Sequence, residues 1–104
     1  MPTPESTLKK EIQDFLKQSG REWLRLNSGI IKSGRRFIHL CPSGTADIVV
    51  FCPDVRWIEL KAGRTNKEQL EAQEAFRERV TAIGHKYLRA TSLPEVVEFI
   101  GGSK

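Results

Sequence analysis

The chain has 104 residues, of which 38% are apolar, and a formal net charge of +4. That length supports one compact domain, residues 1–104, and little else. No apolar run approaches the ~20 residues that cross a bilayer, which argues against a membrane helix, and the mild positive charge suits a nucleic-acid partner without establishing one.

The first residues, Met1 to Glu5, lack the basic-then-apolar layout of a secretory signal, so a cytoplasmic setting is expected. A first helix is predicted over residues 4–18. Thr3 can cap it and Pro4 suits the first helical position. Leu8, Ile12, Phe15 and Leu16 form its inward face, and Gly20 follows as a stop. Glu5 precedes Leu8 by three residues and falls on the same inward side. Residues 22–27 read as a strand, residues 28–35 as a loop rich in glycine and cations, and residues 36–41 as a second strand. Pro42-Ser43-Gly44 is a turn. Residues 47–52 are almost continuously apolar, as in a strand covered on both faces. Pro53-Asp54-Val55 is turn chemistry, and residues 56–61 read as the next strand.

A long helix follows. Thr65-Asn66-Lys67-Glu68 has capping-box spacing at its start. Gln69, Gln73, Phe76, Val80 and Ile83 form its inner stripe, and Gly84 ends it. Residues 85–90 are a short strand, and Ser92-Leu93-Pro94-Glu95 is a second capping box opening a last helix. Helix, three or four strands, helix, strand, helix predicts an α/β fold, with one mixed central sheet flanked by helices. Cys41 and Cys52 lie in or beside strands without metal-ligand spacing. Two buried thiols are expected rather than a disulfide.

The chemistry concentrates in Ile58-Glu59-Leu60-Lys61. Strand side chains alternate, so Glu59 and Lys61 leave one face while Ile58 and Leu60 leave the other. Asp47 opens the preceding strand. Two carboxylates are the usual minimum for a Mg²⁺ site, which wants oxygen ligands and keeps several waters. With a lysine beside them, they point to hydrolysis of a phosphodiester. Parity makes this testable: Asp47 shares a face with Glu59 only if the loop between the strands has three or five residues, or if the strand carries a bulge. Glu5 from the first helix and Gln73 from the long helix are further candidates around this centre. Each has a plainer reading. An E-x-K pair suits a solvated edge strand, an acid in the first turn complements a helix dipole, and an inner-stripe glutamine often just packs. His39 and His85 read as structural, and Asp54 as a turn residue too close in sequence to Glu59 to face it.

Taken together these segments resemble the VRR-NUC family of the PD-(D/E)xK nuclease superfamily, especially its small stand-alone members from phages and bacteria. The similarity spans nearly the whole chain. Glu5 and Gly20 stand at the family's opening helix, and Asn27-Ser28-Gly29 and Arg36-Phe37-Ile38 at its middle segment. Gly44-Thr45-Ala46-Asp47-Ile48 resembles the Gly-x-Pro-Asp-Ile element, with Ala46 in place of the proline. Glu59-Leu60-Lys61 stands at E-x-K, and Gln73, followed by Phe76 and Gly84, at the helix glutamine; Gln69 is the competing candidate.

The resemblance implies a restriction-endonuclease-like core and a Mg²⁺- or Mn²⁺-dependent endodeoxyribonuclease. Asp47, Glu59 and Glu5 would hold the metal, and Lys61 and Gln73 would complete the catalytic set. It also implies a homodimer that cuts branched DNA such as four-way junctions, in a bacterial or phage-infected cell. A monomeric flap or nicking enzyme and a non-catalytic nucleic-acid-binding module remain the alternatives. Lys32, Arg35, Arg36, Arg64 and Lys67 surround the candidate centre and would take phosphates independently of sequence.

Overall fold

The computed structural model describes residues 4–26, 30–39, 44–61 and 66–101, giving the backbone alone for residues 4, 5, 30–32 and 37–39. Helix α1 (Pro4–Ser19) buries Leu8, Ile12 and Leu16, one face at i, i+4 and i+8. Strands β1 (Glu22–Arg25), β2 (Ile30–Ser33), β3 (Arg36–His39), β4 (Ile48–Phe51) and β5 (Val55–Leu60) follow. Helix α2 (Lys67–Ala82), strand β6 (Lys86–Ala90) and helix α3 (Leu93–Ile100) complete the order.

The central sheet runs β1-β4-β5-β6, antiparallel at the first two pairings and parallel between β5 and β6. A parallel pair needs a long crossover, which α2 supplies. Strand β5 sorts its side chains by parity. Ile58 and Leu60 join Ile48, Val50 and Ala90 in a core under α1 and α3, built with Leu8, Ile12, Leu16, Val96 and Ile100. Trp57 points the other way and packs with Ala46, Phe76, Val80 and Tyr87 under α2. The domain is therefore three layers, helix on sheet on helix. Each buried aliphatic side chain contributes about 1.5–3 kcal/mol, so the α1/α3 layer anchors the sheet. Ile48, Val49 and Val50 are all buried, as the unbroken apolar run predicts for a covered central strand.

Three details differ from the sequence expectation. Ile30–Ser33 is a strand, not loop, and pairs with Arg36–His39 across the two-residue turn Gly34-Arg35. The flanking glycines suggest a loop, but the β-branched Ile30-Ile31 pair favours extended backbone. The α2 cap is Asn66, whose Oδ1 accepts the Gln69 N–H at 2.7 Å, one residue later than the Thr65 spacing suggests. Ile83 is 69% exposed, because α2 ends at Ala82 and the non-helical Ile83 leaves the inner stripe. Cys52 is a free, half-buried thiol, and Cys41 lies outside the described residues.

Candidate active site

The connection between β4 and β5 is Cys52-Pro53-Asp54, three residues. That odd length pairs Ile48 with Ile58 and Val49 with Trp57, and Asp47 stands at a bend just before β4. Asp47 is bonded on both sides of Glu59. Its N–H donates to the Ile58 carbonyl at 3.1 Å, and its Oδ2 accepts the Leu60 N–H at 2.9 Å. On its outer side, the Asp47 carbonyl accepts the Leu26 N–H at 2.8 Å. The carboxylate thus substitutes for a ladder carbonyl just where β4 begins, which fixes its rotamer and spends one oxygen. Oδ1 has no hydrogen bond among the described residues.

Glu59 is 5% exposed, the one buried charged side chain among the described residues. It lies between Ile58 and Leu60, which face α1 and α3, and so belongs to the α2 face. Lys61 follows on the same parity. Its N–H donates to the Ala90 carbonyl at 2.8 Å, which extends the β5–β6 ladder by one step. Among the described residues the Lys61 ammonium makes no salt bridge. Glu59 and Lys61 therefore share the α2 face at the end of β5, and Asp47 is tied to the same stretch through its bonds to Ile58 and Leu60.

Helix α2 closes over this face at two points. Gly44 lies so close to Ala72 that a Cβ there would fall on the Ala72 carbonyl. Two residues on, Glu74 reaches toward Arg89 of β6, with Oε2 and Nη2 3.8 Å apart. Gln73 stands between these contacts and is half-buried, whereas Gln69 is exposed. Beside them, Trp57 meets Phe76 edge-on at 5.1 Å and donates its Nε1–H to His85 Nδ1 at 3.0 Å. His85 is thus structural, as expected. Asp54 is engaged away from the centre, by Arg56 at 2.7 Å and Lys86 at 3.5 Å.

The other candidates are placed less completely. Glu5 is in the first turn of α1, which packs on the opposite face of the sheet, and its side chain lies outside the described atoms. Arg35 and Arg36 are exposed at the β2–β3 turn, and Lys32 is on β2 with its side chain not described. Lys67 opens α2, 89% exposed and 4.0 Å from Glu71. Arg64 lies outside the described residues. Among the described residues no group of three or more His, Cys, Asp and Glu side chains is spaced for a metal. Two hard carboxylates, one with an oxygen unspent, still fit a cation that keeps most of its waters.

Two residues near Glu59 are absent from the sequence reading. Glu59 pairs with Arg89 and Trp57 with Tyr87 in the parallel ladder, so Tyr87 and Arg89 also leave the α2 face. The signal was the alternation of β6, where Leu88 and Ala90 face the large core. Burial, and then the Glu59 charge, push the Tyr87 phenol up to about 12. A raised value means that the fold favours the neutral phenol. This contribution is intact below the unfolded value of 10.0 and is lost as pH rises through about 12. Tyr87 is the sole tyrosine, so alkaline absorbance titration reads it directly. The folded midpoint is expected near 12, and lower in Glu59→Gln. An ordinary phenol midpoint in the folded protein would separate Tyr87 from the Glu59 environment.

A three-layer domain presenting acid, acid and lysine at the end of a central strand is a restriction-endonuclease-like α/β fold. Among solved structures, one described as a VRR_NUC domain superposes with a TM-score of 0.57 at 20% identity, covering 95% of this chain and 96% of that one. The chain has the fold of a VRR_NUC domain, in agreement with the sequence resemblance. No family profile and no curated protein sequence matches it. No helix among the described residues is long and apolar enough to cross a membrane.

Proposed function

We propose that this protein is a metal-dependent, structure-selective DNA endonuclease. The observation that supports the reading is the Asp47 carboxylate, which accepts the Leu60 N–H midway between Glu59 and Lys61. Asp47 and Glu59, with Glu5 as a further candidate, would hold Mg²⁺ or Mn²⁺. Bound there, the ion would lower the pKa of a coordinated water and polarise the phosphate. Lys61 offsets charge on the phosphate and orients the attacking water, and its ammonium is not tied to a carboxylate among the described residues. Gln73 would support this arrangement from α2 through hydrogen bonds. Lys32, Arg35, Arg36, Arg64 and Lys67 would bind phosphates around the centre. Retention of both acids and the lysine favours an enzyme over a non-catalytic nucleic-acid-binding module.

The direct test is incubation with labelled single-strand, duplex, flap and four-way DNA in Mg²⁺ or Mn²⁺. Preferential cutting of the four-way substrate is expected, and failure to cut any of them would remove the reading. A four-way junction needs two symmetric cuts, which a two-fold homodimer supplies. Edge strand β1 offers part of a contact through Leu24, 53% exposed, and the half-buried Trp23; Ile30 and Ile31 are further candidates. Light scattering at micromolar concentration is expected to give twice the chain mass. A strict monomer that nicks flaps would move the assignment to a monomeric flap or nicking endonuclease.

The two glutamines of α2 separate one alignment from another. Gln73→Ala is expected to lower turnover by roughly 10–100-fold, the usual loss for a residue that orients a metal site. Gln69→Ala, at an exposed position one turn earlier, is expected to stay within about twofold, since surface changes rarely exceed ±0.5 kcal/mol. Steady-state cleavage rates decide between them, and the reverse order would shift the functional glutamine by one turn.

A further inference from the structure

We propose that Arg89 is a positioning residue of this site, fixing Glu59 from the neighbouring strand and, through Glu74, the turn of α2 that carries Gln73. The inference rests on the nuclease reading for its catalytic consequence, but its structural part stands on the geometry of β5, β6 and α2.

Glu59 and Arg89 are register partners in a parallel pair. Their side chains leave the same face of strands about 4.8 Å apart. Glu59 is buried, so its charge needs a nearby cation or several donors. Arg89 is 28% exposed, and its Nε and Nη2 are buried without a hydrogen-bond partner among the described residues. Tyr87 Oη is buried beside it, without a hydrogen bond of good geometry but close enough for Arg89 to act on the phenol. A strand that merely had to pack under α2 would carry apolar residues there, as it does at Leu88 and Ala90 on the other face. Buried donors whose partners lie outside good hydrogen-bond geometry call for an explanation.

Glu74 supplies the second half. It receives two hydrogen bonds from Arg77, at 2.7 and 3.1 Å, and stands 3.8 Å from Arg89. Its carboxyl is held below the usual range, first by the Arg77 hydrogen bond, with the charges of Arg77 and Arg89 contributing. Arg89 thus stands in register with a buried acid of the sheet and pairs with an acid of the helix. Gln73 adjoins Glu74, so this position lets Arg89 link the helix turn to the strand face that carries Glu59. Arginine suits this place because its planar fork serves two acceptors at once, which a lysine ammonium does less well.

Urea unfolding of four proteins tests the structural part: wild type, Arg89→Met, Glu59→Gln and the double variant. The destabilisation from Arg89→Met is expected to shrink by at least about fivefold in the folding equilibrium constant once Glu59 is already Gln. Effects that combine independently, within about twofold, would overturn the proposal. If Arg89→Met does not fold, Arg89→Lys takes its place in the same cycle. Cleavage kinetics test the rest. Arg89→Met is expected to lower kcat by roughly 10–100-fold with KM for DNA nearly unchanged, and Arg89→Lys to recover part of the loss. A rise in KM at constant kcat would instead make Arg89 a DNA contact and overturn positioning. A wild-type protein that cuts nothing removes the nuclease reading and leaves the unfolding cycle to decide the Arg89 coupling.

Discussion

Lys61→Ala and Asp47→Asn are expected to fold normally and to lose cleavage by about 10²–10³-fold or more, the scale of removing one electrostatic stabiliser from a transition state. The choice of asparagine follows from the geometry. Asp47 Oδ2 accepts the Leu60 N–H at 2.9 Å, and an amide oxygen preserves that bond while removing the charge. Asp47→Ala should in addition cost about 1–3 kcal/mol by leaving the Leu60 N–H without its acceptor. Comparing the three proteins therefore separates a structural role from a chemical one. Calorimetric titration with Mg²⁺ or Mn²⁺ adds the second axis. Asp47→Asn is expected to weaken metal binding, and Lys61→Ala to leave it unchanged, because an ammonium is no ligand for a hard cation. Robust cleavage by the Asp47→Asn protein in Mg²⁺ would sink the assignment of this site.

Part of the candidate site was legible because strand parity is a strict rule. Glu59 and Lys61 share a face in any strand, and the three-residue loop Cys52-Pro53-Asp54 is one of the lengths expected between β4 and β5. The stripe Leu8, Ile12 and Leu16 was legible for the same reason, a fixed period matched to a buried face. What escaped depends on contacts between segments distant in sequence. The Asp47 bond to Leu60 requires the actual register of β4 on β5. The importance of Arg89 requires knowing that β6 lies parallel beside β5, with Glu59 opposite. Strand β2 was hidden because Gly29 and Gly34 bracket a segment of four residues, too short to show alternation against its own turn chemistry. Ile83 was misplaced because helical periodicity continues past the residue at which the backbone stops being helical.

Gly44→Ala is expected to be the most damaging small substitution outside the acids and the lysine. Gly44 has φ +86°, where a side chain costs about 1–2 kcal/mol. Its added Cβ would also fall on the Ala72 carbonyl of α2, and overpacking of this kind costs typically 1–3 kcal/mol. The sum, about 2–5 kcal/mol, corresponds to a fall of roughly 10 °C or more in Tm for a domain of this size. Gly34 supplies the control: its φ is +63°, and a Cβ there meets nothing within 4 Å. Gly34→Ala should show the conformational cost alone, so the difference between the two melting temperatures isolates the contact with α2. The same contact links stability to function. Gly44 precedes Asp47 by three residues and Ala72 adjoins Gln73. Relief of the overlap must therefore move the acid, the glutamine or both. Folded Gly44→Ala protein, assayed well below its Tm, is expected to cleave at least about tenfold more slowly than wild type, since small misplacements of reacting groups carry penalties of that size or larger. Equal melting temperatures for the Gly44→Ala and Gly34→Ala proteins, with full activity in the former, would show that α2 does not rest on this glycine.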